Sequence, residues 1–204
     1  MVNVKSDTSR TRGPRTASAA VEGALLDAAE RLLAQEGGAL STTRIAKVAG
    51  VSVGSLYQYF PDKRAILRTL AEQYTAESRR CIEEGLAEAR DKASLAQAFS
   101  SLVDRYYAMF LGKPVRRDII AGMRADKDLM AIELAESQAN GAVLAAAIRR
   151  VHPRADAKRV DALAFLIWQL GEETMRLALS HKRSEGALLV EAYKRMSLRA
   201  IAEP

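Results

Sequence analysis

Between residues 40 and 63 the sequence gathers side chains whose chemistry suits a duplex polyanion better than a protein interior. The stretch reads Leu40-Ser41-Thr42-Thr43-Arg44-Ile45-Ala46-Lys47-Val48-Ala49-Gly50-Val51-Ser52-Val53-Gly54-Ser55-Leu56-Tyr57-Gln58-Tyr59-Phe60-Pro61-Asp62-Lys63. If Leu56 and Phe60, four residues apart, turn inward together, then Val53, Gly54, Ser55, Tyr57, Gln58 and Tyr59 turn outward. Tyrosine hydroxyls can hydrogen-bond phosphate oxygens, and a glutamine amide can both donate to and accept from a base edge. Gly54 has no side chain, so the tip of its helix can come close to a ligand, and helix N-terminal amides favour an anion. Two exposed tyrosines on one short helix fit poorly with a core role.

A hydrolytic reading competes for the same residues. Gly50-Val51-Ser52-Val53-Gly54 matches the nucleophile-elbow pattern, which needs a strand before the serine and a helix after it. Residues Arg44 to Ala49 read as helix, so the pattern is taken as coincidence. His152 and His181 are the two histidines. Neither has an acidic partner in the pattern, and both read as surface residues. The lone Cys81 excludes an intramolecular disulfide and any multi-cysteine zinc site. No phosphate-binding or dinucleotide fingerprint occurs. The expectation is a chain with no catalytic residue, metal or cofactor, and not an enzyme.

The elements that must position these residues are helices. Ala, Leu, Glu, Arg and Lys abound against 5 prolines and 12 glycines, and no stretch alternates with period two. A first helix is expected from Ala19 to Gln35, capped by Ser18 and ended by Gly37 and Gly38, with Val21, Leu25, Ala28, Ala29 and Leu32 inward. A second runs from Ser41, its cap, to Ala49. It buries Ile45, Ala46 and Ala49, whose small alanines allow a close crossing. Gly50 supplies the positive φ of a turn, Val51 plugs the core, and Ser52 caps a third helix, Val53 to Tyr59. Asp62 caps a fourth, which extends from Lys63 to about Asp91. Further helices are expected over about 94–111, 114–125, 129–151, 155–181 and 185–202. The fold class is all-α, with a flexible basic arm over 1–17, a helix-turn-helix domain over 18–64 and a larger helical domain over 65–204.

The glycine-turned helix pair resembles the TetR family of transcription regulators. The likeness covers about residues 20–70, through Ile45-Ala46-x-x-Ala49-Gly50-Val51-Ser52, Gly54-x-Leu56-Tyr57-x-Tyr59-Phe60 and Pro61-Asp62-Lys63. It implies that Ser52, Val53, Gly54 and Ser55 enter the major groove and that Tyr57 and Tyr59 clamp phosphates. By the same likeness Thr42 and Thr43 touch phosphate or base, Gln58 reads a base, and Lys63 binds phosphate. Arg44 either reaches DNA or is solvated. Val53 and Ser55 are short, so thymine-methyl contact and DNA shape carry more of the reading. The resemblance further implies a ligand-responsive repressor that binds a palindromic operator as a homodimer through its last two helices. Leu163, Leu166, Ile167, Leu170, Met175, Leu177 and Leu179 on one, and Leu188, Leu189, Tyr193, Met196 and Ile201 on the next, have apolar surface to bury. It also implies a pocket for a small-molecule effector. Tyr106, Phe110, Met123, Met130, Phe165 and Trp168 are the candidate lining, with Tyr107 and Met109 beside them and Gln138, Gln169 and Glu172 as polar anchors. The same residues at helical spacing also suit a plain core. The alternative is an architectural DNA-binding protein without a sensor.

The chain has 204 residues and a formal net charge of +6, a balance that favours polyanionic partners. No apolar run reaches the ~18 residues of a membrane span, and a cytoplasmic location is expected. Arg10, Arg12 and Arg15 are expected to lie along a flanking minor groove or the phosphate backbone. Removal of residues 1–15 is therefore expected to weaken DNA binding and flatten its dependence on salt. An unchanged slope of log affinity against log salt would take the arm out of the contact.

Overall fold

The computed structural model describes residues 14–36 and 40–204. Among the described residues there are nine helices and no strand: α1 (Pro14–Glu36), α2 (Thr42–Ala49), α3 (Val53–Tyr59), α4 (Lys63–Leu86), α5 (Lys92–Gly112), α6 (Val115–Arg124), α7 (Lys127–Val151), α8 (Ala157–Leu179) and α9 (Arg183–Ala202). The all-α class is as expected. The chain divides into two compact units, Met1–Ile66 and Leu67–Pro204. No helix among the described residues is long and apolar enough to cross a membrane.

In the first unit, α1 opens at Pro14, where a proline forfeits no helical hydrogen bond and has the required φ. Ser18 therefore lies inside the helix, which corrects the expected cap and the start at Ala19. Of the expected arm, residues 1–13 lie outside the described residues, as do Gly37 and Gly38. Leu25, Ala28, Ala29 and Leu32 are buried as expected, joined by Leu26 and Leu33, and the core of the unit is completed by Ile45, Ala46, Leu56, Phe60 and Ile66. Ser41 occupies the cap position of α2, yet its side chain makes no capping hydrogen bond. The other end of α2 closes tightly. The Val51 N–H donates to the Ala46 carbonyl at 3.0 Å and the Gly50 N–H to the Lys47 carbonyl at 3.3 Å, a Schellman pair that requires a left-handed residue. Gly50 supplies it with φ 73°, the only positive φ among the described residues.

In the second unit the aspartates set the helix boundaries. α4 stops at Leu86 rather than near Asp91, because Asp91 starts the next helix. Its carboxylate accepts from the Ser94 N–H at 2.8 Å while its own N–H donates to Ser94 Oγ at 3.0 Å, a reciprocal cap. The Asp126 and Asp156 side chains cap α7 and α8 by accepting from first-turn N–H groups, without the reciprocal bond, which moves their starts to Lys127 and Ala157. The core of this unit draws Ile82, Phe99, Leu144, Ile148, Trp168 and Met175 from α4, α5, α7 and α8. α7 and α8 cross closely at Gly141, where an added Cβ would lie 3.0 Å from the Phe165 Cα. His152 closes α7 and is half-buried with a shielded Nε2 that has no partner, so it is not the surface residue expected. His181 is exposed.

A Cβ placed on Gly50 meets no atom within 4 Å, so the cost of Gly50→Ala is the left-handed backbone alone, about 1–2 kcal/mol. Gly50→Asn is expected to cost less, since asparagine tolerates that region. Chemical denaturation of both variants checks the order, and equal stability of Gly50→Ala and the parent would contradict the turn.

Candidate functional site

The first site is the outward side of α2 and α3. Ser52 starts α3 in an extended conformation, and its Oγ accepts the Ser55 N–H at 3.0 Å. Leu56 is fully buried and Phe60 nearly so, which fixes the rotation of this seven-residue helix. Gly54, Tyr57 and Gln58 are exposed, whereas Val53, Ser55 and Tyr59 are half-buried. The outward face is thus narrower than the sequence pattern implies, because three of its six residues lean against the rest of the unit. Ser52, Thr43, Arg44 and Lys63 are exposed and Thr42 is half-buried.

Tyr57 ties the two helices together. Its hydroxyl lies 3.2 Å from Thr42 Oγ1, and Thr42, Tyr57, Asp62 and Lys63 share one surface cleft. Residues 40–61 contain Arg44 and Lys47 and no carboxylate at all. Asp62 is the exception at the edge, and its Oδ1 is occupied in capping α4 through the Ala65 N–H at 2.8 Å. Hydroxyls, an amide and cations make a surface suited to phosphate and base edges.

The second site lies within the second unit. A cavity of about 60 Å³ is bounded by α4 to α8. Of the expected lining, Tyr106, Phe110 and Met123 reach it. Trp168 instead lines a smaller apolar cavity, of about 30 Å³, in which Tyr106 also takes part. Met130 is 46% exposed and lines neither, since Leu129 takes the inward position at the first turn of α7. Phe165 lines neither as well; its backbone sits at the α7–α8 crossing. Tyr107 and Met109 are half-buried against the core. Of the polar anchors, Glu172 faces the cavity, Gln169 has a buried and unpartnered Nε2, and Gln138 is exposed.

Reading aromatics and methionines missed the polar lining: Tyr74, Ser78, Arg116, Glu133, Ser137 and Asn140. A signal for part of it exists. Stepping back from Ile148 by threes and fours along α7 passes Leu144, Gly141, Ser137 and Glu133, so polar residues occupy the inward stripe. Glu172 Oε1 accepts from Trp168 Nε1 at 3.1 Å and Oε2 from Ser137 Oγ at 3.3 Å. Burial first, and then the neighbouring charge of Glu133, push its carboxyl up to about 7, against the pull of Arg124. Burial likewise raises the Tyr106 hydroxyl well above its usual range, so it stays neutral.

Comparison with known proteins places the chain in a family. Residues 93–203 match the family model described as the Tetracyclin repressor-like C-terminal domain, which is more than half of the chain. Residues 25–70 match that of the bacterial regulatory proteins of the tetR family. No curated protein sequence matches. Among solved structures, the fatty acid degradation regulator FadR of Bacillus halodurans superposes with a TM-score of 0.71 at 18% identity, covering 93% of this chain and 97% of that one. FadR of Bacillus subtilis, solved with stearoyl-CoA, gives 0.68 at 18%, covering 89% and 98%. A TetR-family regulator of Streptomyces coelicolor gives 0.65 at 24%, covering 89% and 96%. With both parts matched in order along the chain, the protein belongs to the TetR family and is a DNA-binding transcription regulator.

Proposed function

We propose that this regulator is a ligand-responsive repressor, acting in the cytoplasm, that binds a near-palindromic operator as a homodimer. The observation that carries the DNA contact is the pairing of Tyr57 with Thr42 within a stretch, residues 40–61, that has no carboxylate and whose helix is fixed by Leu56. In this reading the DNA-binding domain spans residues 18–64, preceded by the basic arm. Tyr57, Tyr59, Thr42, Thr43 and Lys63 hold phosphates, with Arg44 beside them. Gln58 and the tip residues Ser52, Val53, Gly54 and Ser55 read the groove. Residues 65–204 bind the effector and dimerise. The effector occupies the cavity bounded by Tyr106, Phe110 and Met123 and biases the dimer toward a form with lower operator affinity.

The dimer surface is assigned to α8 and α9. Five large apolar residues stand exposed on them: Leu166, Leu170 and Leu177, which share one face of α8, and Leu188 and Met196 on α9. Leu188 is 71% exposed and Met196 63%, values that a helix pair in water has reason to reduce by association. The architectural alternative is not favoured by membership of a family of regulatory proteins.

The test is binding to duplexes selected from a random pool, compared among variants. Lys63→Ala is expected to weaken binding to all sequences alike and to lower the salt slope by about 1 per subunit contact. Gln58→Ala is expected to relax preference at one base position in each half-site, by about 1–3 kcal/mol. Leu188→Glu combined with Met196→Glu is expected to sediment as a monomer with parental helix content and to lose the operator. A double variant that stays dimeric would remove α9 from the interface. A Gln58→Ala variant with unchanged preference would remove that residue from base reading.

A further inference from the structure

The charges around the inner cavity do not balance, and the imbalance has a place. Arg68 with Glu72, Arg79 with Glu136 and Arg116 with Glu77 are one-to-one pairs. Arg124 alone faces two cavity carboxylates, Glu133 at 3.3 Å and Glu172 at 3.7 Å, and it is also 3.5 Å from Glu173. Glu173 has a second cation in Arg176; Glu133 and Glu172 share theirs. Their side chains are only 15% and 12% exposed. An excess negative charge shielded from water must take up a proton or a cation.

A second, independent observation lies on the α4–α6 side of the same cavity. Arg116 is 3% exposed, and its guanidinium lies 4.3 Å from the Tyr74 ring centre. One terminal nitrogen engages Glu77, but Nε is buried with no acceptor. The Tyr74 hydroxyl is buried without a partner as well. Buried donors without acceptors cost stability, and these two border a cavity. The rings of Tyr106 and Phe110, with centres 5.1 Å apart, line the same cavity.

We propose that the effector is a small organic monocation that also carries a hydrogen-bond acceptor. Its ammonium group takes the place of the proton held by Glu172 and lies beside Glu133 as well. Its acceptor meets Arg116 Nε and the Tyr74 hydroxyl, and the two rings cover the carbon between. The proposal rests on the reading of this cavity as the effector site. The charged and titratable groups about Glu172 are Arg124 from α6 and Glu133 from α7, with Glu173 on its own helix sharing Arg124, and its charge is felt by Tyr106 from α5 and Tyr193 from α9; Arg116 from α6, Arg68 and Glu72 from α4 and Glu136 from α7 line the same cavity. A permanent cation displaces the Glu172 proton, so its affinity is expected to rise with pH until that carboxyl, raised to about 7, is ionised.

Trp168 is the only tryptophan and donates to Glu172, so its fluorescence reports on the site. The probes are choline, a permanent cation with a hydroxyl; 3,3-dimethylbutan-1-ol, its uncharged isostere; ethyltrimethylammonium, which lacks the hydroxyl; and the anions hexanoate and stearoyl-CoA. Each is titrated into the full-length protein while release of the selected operator is followed in parallel. Choline is expected to bind saturably, with the isostere at least about tenfold weaker and ethyltrimethylammonium weaker than choline. Choline affinity is expected to rise about tenfold per pH unit between pH 5 and 7 and then level off. Glu172→Gln is expected to abolish both the pH dependence and the preference over the isostere; the comparisons on the parent protein stand without that variant. Equal binding of choline and the isostere, a flat pH profile, or no binding of either cation overturns the proposal. If an anion binds and releases the operator instead, the cation is wrong and the effector reading stands. If choline binds as expected with no effect on the operator, the cation site stands and the effector reading falls.

Discussion

A helix of seven residues can bury only one row of side chains, and in α3 that row is Leu56, with Phe60 just beyond the last turn. The orientation of the DNA-binding face follows from this constraint. With Leu56 at zero exposure, the rotation of α3 is decided, and Tyr57 and Gln58 have no choice but the outside. The turn that delivers α3 is equally constrained. Two backbone hydrogen bonds across Gly50 stop α2, and Ser52 captures the Ser55 N–H, so α3 begins at one residue and in one direction. Pre-ordering of this kind matters for a short recognition element, because every side chain left loose in the free protein must be ordered at the cost of affinity.

The second unit obeys a different economy. Its core from Ile82 to Ile201 is apolar and closely packed, yet one region departs from that rule. Ser137, Asn140 and Arg116 are buried polar residues there, and Glu172 keeps its carboxyl among them. Apolar residues of similar size would make a more stable domain. A run of polar groups on the inward stripe of α7, facing a shielded arginine with an unmet donor, is the pattern expected where stability yields to recognition.

Much of this was legible from residues alone. The turn at Gly50, the cap at Ser52 and the burial of Leu56 are local matters, each settled by the chemistry of one or two residues. Helix boundaries in the second unit were less legible, since Asp91, Asp126 and Asp156 each start a helix a few residues from where apolar periodicity places it. Ser18 misled because a serine before an apolar run looks like a cap, although Pro14 starts a helix just as well. The cavity was half legible. Tyr106, Phe110 and Met123 have the character of lining residues and reach it. Met130 has the same character, but its exposure is decided by the register that Asp126 imposes on α7, which a candidate residue does not carry in itself. The pairing of Glu133 with Glu172 joins α7 to α8, and a contact across 39 positions has no mark in local sequence.

The central claim is that two copies of α3, each with Tyr57 and Gln58 outward, meet one duplex in a two-fold arrangement. Footprinting the purified protein on the duplexes it selects tests this most directly. The account predicts two mirrored half-sites whose centres are separated by one helical turn or a multiple of it, about 34–36 Å per turn, occupied by an even number of chains. A single unsymmetrical footprint filled by one chain, or a failure to select any duplex at moderate salt, would contradict it.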